Sequence, residues 1–272
     1  MTTSSSETLN WEPLSKRKLS TWSKLASRKG RQEAGQILVE GVRSIGEALD
    51  TDCSIIGIVA AEPEGTGAVE QSLRRATNQN IPLYSTDSKS FAKLSDTVHS
   101  AGVVAIVKWS PRSIDALARE TPKRVLFCDA ISDPGNLGSL IRTAAGLGLH
   151  LIVIGKNSVD VTNAKVVRST AGALFRIPVY ADIGVVDFLE LSQGWGLHIV
   201  LADPEGADEI DGAVSDGWVA VIGGETAGLN SAWPRKGVSR LTIAMHHGVE
   251  SLNASVAGAL LMDRLHHKEG TC

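Results

Sequence analysis

Short apolar runs alternate with amphipathic stretches along most of the chain, a pattern typical of strands that alternate with helices. In the first half, a basic segment and "EAGQILVEGVRSIGEALDT" together predict helix, strand and helix. The stretches that follow predict strand, helix, strand, helix and strand, in the order "SIIGIVAA", "GAVEQSLRRATNQN", "IPLYSTD", "SKSFAKLSD" and "AGVVAIVKW". We therefore expect an α/β sandwich of about a hundred residues.

The second half repeats this rhythm with more strongly apolar strands. Six of them are predicted, over "RVLFCDA", "LHLIVIG", "IPVYADI", "LHIVLAD", "GWVAVIGGE" and "SRLTIAM". Because most are flanked by helices, they indicate a parallel sheet, and parallel sheets bind ligands beyond the carboxyl ends of their strands. The loops after Ala130, Ala202, Gly223 and Met245 all follow strands, so we expect them to gather on one side of the sheet.

Composition narrows the class of protein. The chain is 43% hydrophobic but only 4% aromatic, which favours a core of aliphatic side chains. No apolar run approaches the ~20 residues of a membrane span, and "MTTSSSETLNWEP" lacks the apolar centre of a signal peptide. Cys53, Cys128 and Cys272 match no metal or redox spacing, so we expect reduced thiols in a cytoplasmic protein.

The net charge of −3 argues against a protein that coats nucleic acid, but the charge is unevenly distributed. Residues 13–32 carry seven basic side chains and no acidic one. This segment is either a solvated helical face or a surface that contacts a phosphate backbone, with Trp22 as a stacking partner. Composition alone does not decide between the two.

Two polar loops leave the predicted strands. In "DPGNLGSLIRTAAGLG", Asn136 stands just before a helix, at a good capping position, and Arg142 follows within it. This loop has neither the glycine order of a dinucleotide-binding fingerprint nor the lysine of a P-loop. In "VIGGETAGLNSAWP", the glycines allow close approach of backbone to a ligand, while Glu225 either caps a turn or binds a polar group of that ligand.

The third loop reads "HHGVESLNASVAG". His246 and His247 are adjacent and no third ligand stands nearby, so we expect no metal site. Ser251 is expected to begin a helix, and Asn253 inside that helix needs a hydrogen-bond partner. The apolar residues expected on the core face of the helix are Leu252, Val256, Ala259 and Leu260.

Together, "GNLGSLIRTA", "GGETAGL" and "IAMHHGVESLNASVAGALLMDRL" resemble the three motifs of the SpoU (TrmH-type) RNA 2′-O-methyltransferases. "KVVRSTAGALFRIPV" is similar to the segment between motifs, and "RKGRQEAGQILVEGVRSIGEAL" with "LSDTVHSAGVVAIV" is similar to the small domain that often precedes the catalytic one. The resemblance implies a trefoil-knotted parallel-sheet domain after a small α/β sandwich, whereas the pattern alone predicts an open sheet. The implied boundaries are a flexible N-terminus (1–12), an RNA substrate-binding domain (13–110), a linker (111–122) and the knotted methyltransferase domain (123–268).

The resemblance also implies the reaction, the ligands and the partners. It implies methyl transfer from S-adenosylmethionine to a ribose 2′-hydroxyl, by a homodimer without metal, with ribosomal RNA of the large subunit favoured over transfer RNA. The implied catalytic residues are Asn136, Arg142, Glu225, Ser251 and Asn253. Arg142 would position the hydroxyl and a phosphate, since arginine stays protonated and is a poor base. The implied cofactor-binding residues are Leu201, Ala202, Gly223, Gly224, Gly228, Ile243, Met245 and Leu252. The implied RNA contacts are Lys16, Arg17, Lys18, Arg28, Lys29, Arg31 and Arg168.

Two positions depart from the family pattern. Gly224 stands where asparagine or a similar residue is frequent, and Ala244 replaces the usual proline of "IPM". A catalytically silent RNA-binding protein on the same scaffold is therefore an alternative, as is a methyltransferase that acts on transfer RNA. A nucleotide-dependent oxidoreductase is disfavoured by the missing fingerprint.

Overall fold

The computed structural model describes residues 9–61, 67–95, 102–209, 214, 217–245 and 251–268. The chain divides into two units, Met1–Ser110 and Pro111–Cys272. None of the helices in the described ranges is long and apolar enough to span a membrane.

The first unit is an α/β sandwich, as predicted. Its strands are β1 (Trp11–Pro13), β2 (Gln36–Glu40), β3 (Ser54–Ala60), β4 (Leu83–Ser85) and β5 (Val103–Lys108). Its helices are α1 (Lys16–Ser23), α2 (Arg28–Ala34), α3 (Val42–Leu49), α4 (Ala68–Asn78) and α5 (Ser88–Phe91). The sheet order is β1-β4-β3-β5-β2, with β5 antiparallel to both of its neighbours.

One expectation and one of the alternatives considered for this unit are wrong. Residues 11 and 12, expected in a flexible N-terminus, lie in β1, where Trp11 pairs with Leu83 and Glu12 with Tyr84. Trp22, considered as a stacking partner for bases, is only 5% exposed. Its ring packs edge-on against Tyr84 with 5.5 Å between centroids, because burial of a large aromatic ring is more favourable than its exposure.

The second unit contains the predicted parallel sheet. Its strands are β6 (Arg124–Asp129), β7 (Leu151–Gly155), β8 (Val179–Ile183), β9 (His198–Ala207), β10 (Trp218–Gly223) and β11 (Ser239–Leu241). Its helices are α6 (Ile114–Leu117), α7 (Pro134–Gly146), α8 (Ala164–Ser169), α9 (Val185–Ser192) and α10 (Ala254–Lys268). The order is β11-β9-β10-β6-β7-β8 and every pair is parallel, so the parallel-sheet prediction is confirmed.

The stretch 111–122, expected to be a linker, packs within the second unit instead. Leu117 is fully buried in the hydrophobic core of this unit, and the backbone of Arg112 pairs with Tyr180 of β8. That core is also less aliphatic than expected. Phe127, Phe188 and Trp233 pack together, and the ring of Phe127 lies 4.8 Å from that of Phe188 and 5.0 Å from that of Trp233.

Helix α10 packs against α7 and β10 through a glycine. A Cβ atom on Gly258 would lie 2.3 Å from a methyl carbon of Leu140, so a larger residue here would have to displace that side chain. The predicted buried face of α10 is wrong, since Val256 is 47% exposed and Leu260 is 40% exposed. The residues that α10 buries are Ala254, Gly258, Leu261, Met262 and Leu265.

Candidate active site

The ends of β6 and β10 bring two of the polar loops together. Asp129, the last residue of β6, is in register with Gly223, the last residue of β10. The N–H of Gly224 then donates to the carbonyl of Asp129 (2.9 Å). Ala130 adopts the left-handed conformation (φ 53°), uncommon for residues other than glycine, and turns the chain sharply into the next loop.

This contact gives a structural reason for Gly224, where the family pattern often has a side chain. A Cβ atom at this position would lie 2.3 Å from the carbonyl oxygen of Ala130, so glycine alone fits the backbone found here. Ala244, the other departure, lies exposed in the loop after β11. His246 and His247, further along that loop, lie outside the described residues.

Asp129 anchors the loop after β10, a role that the sequence reasoning did not assign. Its side chain is 2% exposed, and Oδ2 accepts hydrogen bonds from the backbone N–H of Asn230 (2.6 Å) and from the indole N–H of Trp233 (2.8 Å). A buried carboxylate is costly unless it is hydrogen-bonded, so these donors fix its position. The available signal was an acidic residue at the end of the apolar run "RVLFCD".

Three candidate catalytic residues from the three loops meet in one hydrogen-bond cluster. The Oε1 atom of Glu225 accepts from the side-chain amides of Asn136 (2.7 Å) and Asn253 (2.9 Å) and from the backbone N–H of Ala254 (3.3 Å). Asn253 Nδ2 also donates to Asn136 Oδ1 (2.8 Å). We name Asn136, Glu225 and Asn253 the amide–carboxylate cluster. Asn136 is buried in it, whereas Glu225 and Asn253 are exposed.

Helix caps hold two members of this cluster in place. Asp133, not Asn136 as expected, caps α7 by accepting from the N–H of Asn136 (2.8 Å), which puts Asn136 in the first helical turn. Asn253 Oδ1 accepts from the N–H (3.0 Å) and the hydroxyl (2.6 Å) of Ser255, so Asn253 caps α10. The expectation that Ser251 begins the helix is therefore wrong. Ser251 precedes the cap and is exposed.

A cavity of about 550 Å³ lies beside the cluster, at the carboxyl ends of the strands. Glu225 and Ser251 line it, together with all but one of the residues predicted to bind the cofactor: Ala202, Gly223, Gly224, Gly228, Ile243, Met245 and Leu252. The exception is Leu201, whose side chain is fully buried in the hydrophobic core. Asp203 and Arg240, which were not predicted, also line the cavity.

Arg142 stands apart from the amide–carboxylate cluster. It is exposed on α7, six residues after Asn136 and so on another face, and among the described residues its guanidinium has no hydrogen-bond or ion-pair partner. It does share a face with Gly138, four residues earlier, whose Cβ would lie 2.4 Å from the Cβ of Ser169 on α8. Arg142 and Arg168 therefore lie on two helices in close contact.

The predicted RNA contacts in the first unit divide into exposed and engaged side chains. Lys16, Arg17, Arg28 and Lys29 are exposed, and Lys29 also forms an ion pair with Glu33 (3.8 Å). The Lys18 ammonium donates to the Tyr84 hydroxyl and lies 3.9 Å from the centre of its ring.

Arg31 is wrongly predicted as an RNA contact. It is 7% exposed, and its guanidinium donates to the carbonyl oxygens of Leu25 (3.1 Å) and Ala26 (3.0 Å). Its role is to hold the turn between α1 and α2.

The described residues of the site include neither a group arranged to bind a metal nor a reactive thiol. In the described part of the chain, no group of three or more His, Cys, Asp or Glu side chains is arranged to hold a metal ion. Burial, and next the charge of Asp129, raise the pKa of the Cys128 thiol far above its usual range. Cys128 is therefore a neutral thiol at pH 7 and no nucleophile.

Family models match both halves of the chain. The SpoU rRNA Methylase family matches residues 123–263, and the MRM3-like substrate binding domain matches residues 16–105.

Named relatives match nearly the whole chain. The 23S rRNA (guanosine(2553)-2′-O)-methyltransferase RlmP of Bacillus subtilis is 28% identical over 255 residues, which cover 93% of this chain and 98% of the relative. The 23S rRNA (uridine(2479)-2′-O)-methyltransferase of Streptomyces viridochromogenes is 31% identical over 246 residues, which cover 88% of this chain and 85% of the relative.

Solved structures agree in fold. The SpoU methyltransferase AviRb from S. viridochromogenes, in complex with AdoMet, superimposes with a TM-score of 0.78 and 27% identity, covering 93% of this chain and 98% of that one. An AdoMet-bound rRNA methyltransferase from Sinorhizobium meliloti has a TM-score of 0.80 at 23% identity, covering 95% and 97% of the two chains, and so shares the fold.

We predict that Glu225→Ala lowers the free energy of unfolding by about 1 kcal/mol, because the buried amide of Asn136 loses its acceptor. Urea unfolding followed by circular dichroism measures this change. Glu190→Ala is the matched control, since Glu190 is exposed on α9, and we expect a change within about 0.5 kcal/mol. Equal stabilities of the two variants would show that the cluster does not hold the loops.

Proposed function

The chain belongs to the SpoU rRNA methylase family, and from this premise we propose that it methylates a ribose 2′-hydroxyl of large-subunit ribosomal RNA, with S-adenosylmethionine as donor. The observation that carries the proposal is the amide–carboxylate cluster beside the cavity. It joins residues of all three family motifs, in a chain that aligns with the ribosomal RNA methyltransferases over most of its length.

The cavity fits S-adenosylmethionine. Its volume of about 550 Å³ is within the range of small-molecule sites. Apolar side chains of Ile222, Leu241, Ile243 and Leu252 offer surfaces for an adenine ring, and backbone groups at Gly223 offer hydrogen bonds. The close packing of Gly223 supports this fit, because a Cβ there would lie 2.6 Å from the backbone of Gly228 and would push the two cavity walls apart.

We propose the following roles for the site residues. When bound, S-adenosylmethionine would supply a methyl group: the ribose 2′-oxygen would form the new C–O bond as the C–S bond breaks, with release of S-adenosylhomocysteine and of the hydroxyl proton to solvent. Alignment is then the main task of the protein. The amide–carboxylate cluster and Ser251 fix the loops around the cavity and the target nucleotide. Arg142 and Arg168, on two helices in close contact, are charged donors suited to a ribose hydroxyl and a phosphate.

We predict that the protein transfers labelled methyl groups from S-adenosylmethionine to unmodified ribosomal RNA, at a ribose 2′-oxygen. Arg142→Ala should lower the rate about 100-fold, because misplacement of the hydroxyl by an ångström is enough for such a loss. Its affinity for S-adenosylhomocysteine should remain unchanged. Arg119→Ala is the control, since Arg119 is also an exposed arginine of the second unit.

Other outcomes of the same assay decide between the alternatives. Label in transfer RNA alone would favour a transfer RNA methyltransferase. Retention of RNA without labelling of any fraction would favour a catalytically silent binding protein. Label on a base would contradict the proposed reaction.

We propose that the first unit binds the RNA substrate through its exposed cations. Lys16, Arg17, Arg28 and Lys29 lie on α1 and α2, at the start of the sandwich. Such side chains contact phosphates without regard to sequence. The match to an MRM3-like substrate binding domain supports this assignment.

We predict that the double variant Arg17→Gln, Arg28→Gln binds ribosomal RNA more weakly and with a smaller dependence on salt. Loss of two phosphate contacts should lower the slope of log K against log[salt] by roughly 1 to 2. Filter binding at several KCl concentrations measures the slope. Arg74→Gln, which removes a cation paired with Glu70 on α4, should leave it unchanged, and equal slopes in all three proteins would contradict the proposal.

We also propose a homodimer that forms through α10, in a protein of the cytoplasm. Val256 and Leu260 are one helical turn apart and so share a face, and both are large apolar side chains left exposed. Val256 lies only three residues from Asn253, so a partner on this face would lie beside the site. The free thiols of Cys53 and Cys128 support a reducing compartment.

We predict that light scattering gives the mass of two chains for the wild type and of one chain for Val256→Asp, Leu260→Asp, because each charge would be buried without a partner at the interface. Val186→Asp is the matched control, since Val186 is 56% exposed on α9, and this variant should remain dimeric. A monomeric wild-type protein at micromolar concentration would contradict the dimer.

A further inference from the structure

Two charged side chains that no prediction assigned, Asp203 and Arg240, line the same cavity as Glu225 of the amide–carboxylate cluster. Asp203 comes from β9 and Arg240 from the neighbouring strand β11. The Arg240 guanidinium donates from Nη1 to Asp203 Oδ2. The Arg240 side chain is 33% exposed and the Asp203 side chain is 14% exposed, so the pair is partly shielded from water.

The backbone around this pair is fixed by irregular strand pairing. The register of β9 and β11 shifts between Arg240 and Leu241. A Cβ on Gly206 would lie 2.6 Å from the carbonyl carbon of Arg240, so the two strands touch closely here. The N–H of Thr242 donates to the carbonyl of Ala207 (2.9 Å) and closes the contact.

Asp203 is held in place, while Arg240 keeps donors available. Asp203 Oδ1 accepts from the N–H of Glu205 (2.9 Å), and Oδ2 accepts from Arg240, so the carboxylate has a defined orientation. A guanidinium has five N–H donors in a planar fork, and the bond to Asp203 uses Nη1. The remaining donors of Arg240 can bind a second anionic group. The bond to Asp203 fixes the direction in which these donors point.

The charged side chains that line the cavity indicate which anionic group Arg240 binds. Among the described residues that line the cavity, the charged side chains are Asp203, Glu225 and Arg240. Glu225 is engaged by Asn136, Asn253 and Ala254. Arg240 is thus the one cation among the described residues that line the cavity. Together with Asp203 it gives this part of the cavity one positive and one negative group.

The amino-acid end of S-adenosylmethionine carries one carboxylate and one ammonium group, the complement of this pair. We propose that Arg240 binds the carboxylate of the cofactor, with Asp203 as the positioning residue for Arg240 and the acceptor for the ammonium. This inference rests on the proposed function. It adds the one described cation of the cavity lining to the groups that recognise the cofactor.

The test compares two ligands that differ in this end alone. S-adenosylhomocysteine carries the amino-acid end, whereas 5′-methylthioadenosine shares its adenine, ribose and uncharged sulfur but has a methyl group instead. Calorimetric titration of each ligand into wild-type, Arg240→Met and Arg240→Lys proteins gives six dissociation constants. Arg235→Met is the control, because Arg235 is exposed and lies outside the described cavity lining.

We expect Arg240→Met to weaken binding of S-adenosylhomocysteine about 10-fold or more, since a charge-assisted hydrogen bond is lost. Binding of 5′-methylthioadenosine should change by less than about twofold, which also shows that the cavity is intact. Arg240→Lys should recover part of the loss, and Arg235→Met should match the wild type.

Two results would overturn the inference and leave the proposed function standing. One is unchanged binding of S-adenosylhomocysteine by Arg240→Met, and the other is an equal loss for both ligands, which would make Arg240 a purely structural residue. Failure of the wild-type protein to bind either ligand would instead contradict the proposed function itself, and the inference with it.

Discussion

The candidate site depends on one carboxylate that accepts hydrogen bonds from two distant parts of the chain and so joins three loops. Glu225 follows β10, Asn136 opens α7, and Asn253 with Ala254 begins α10, yet their donors all reach the same Oε1 atom. More than a hundred residues separate Asn136 from Asn253. The local sequence cannot bring them together, so their meeting depends on the parallel sheet and on the packing of α10 against α7.

A second carboxylate, that of Asp129, holds the loop that carries Glu225. It is buried at the end of β6 and holds the loop after β10 through Asn230 and Trp233. Trp233 in turn packs against Phe127 in the hydrophobic core. The cavity wall is therefore connected to the hydrophobic core through the side chain of Asp129.

Much of this could be predicted from the sequence because apolar periodicity and strand order are local or repeated signals. The parallel sheet, the sandwich and the gathering of polar loops at strand ends follow from such signals. Helix boundaries were less predictable, since Asp133 and Asn136 are both good caps by residue type and only the backbone geometry selects Asp133. The buried face of α10 was mispredicted because Gly258, which carries no apolar signal, lies on that face.

Charged residues were the hardest to assign, because a basic residue in a sequence gives no indication of its exposure. Arg31 and Lys18 belong to the same basic segment as Arg28 and Lys29, but carbonyl groups and an aromatic ring engage them. Asp203 and Arg240 meet across neighbouring strands and leave no sequence motif. The trefoil knot stays a prediction from the family, because strand order and register do not record which loop the chain passes through.

The most direct test of the central claim is a crystal structure of the protein with S-adenosylhomocysteine. We expect the adenosine part between the loops after β10 and β11, against Gly223, Ile243 and Leu252, with the amide–carboxylate cluster intact beside it. Ligand bound elsewhere on the protein, or in this cavity with Glu225 separated from Asn136 and Asn253, would contradict the claim that the cluster builds the site.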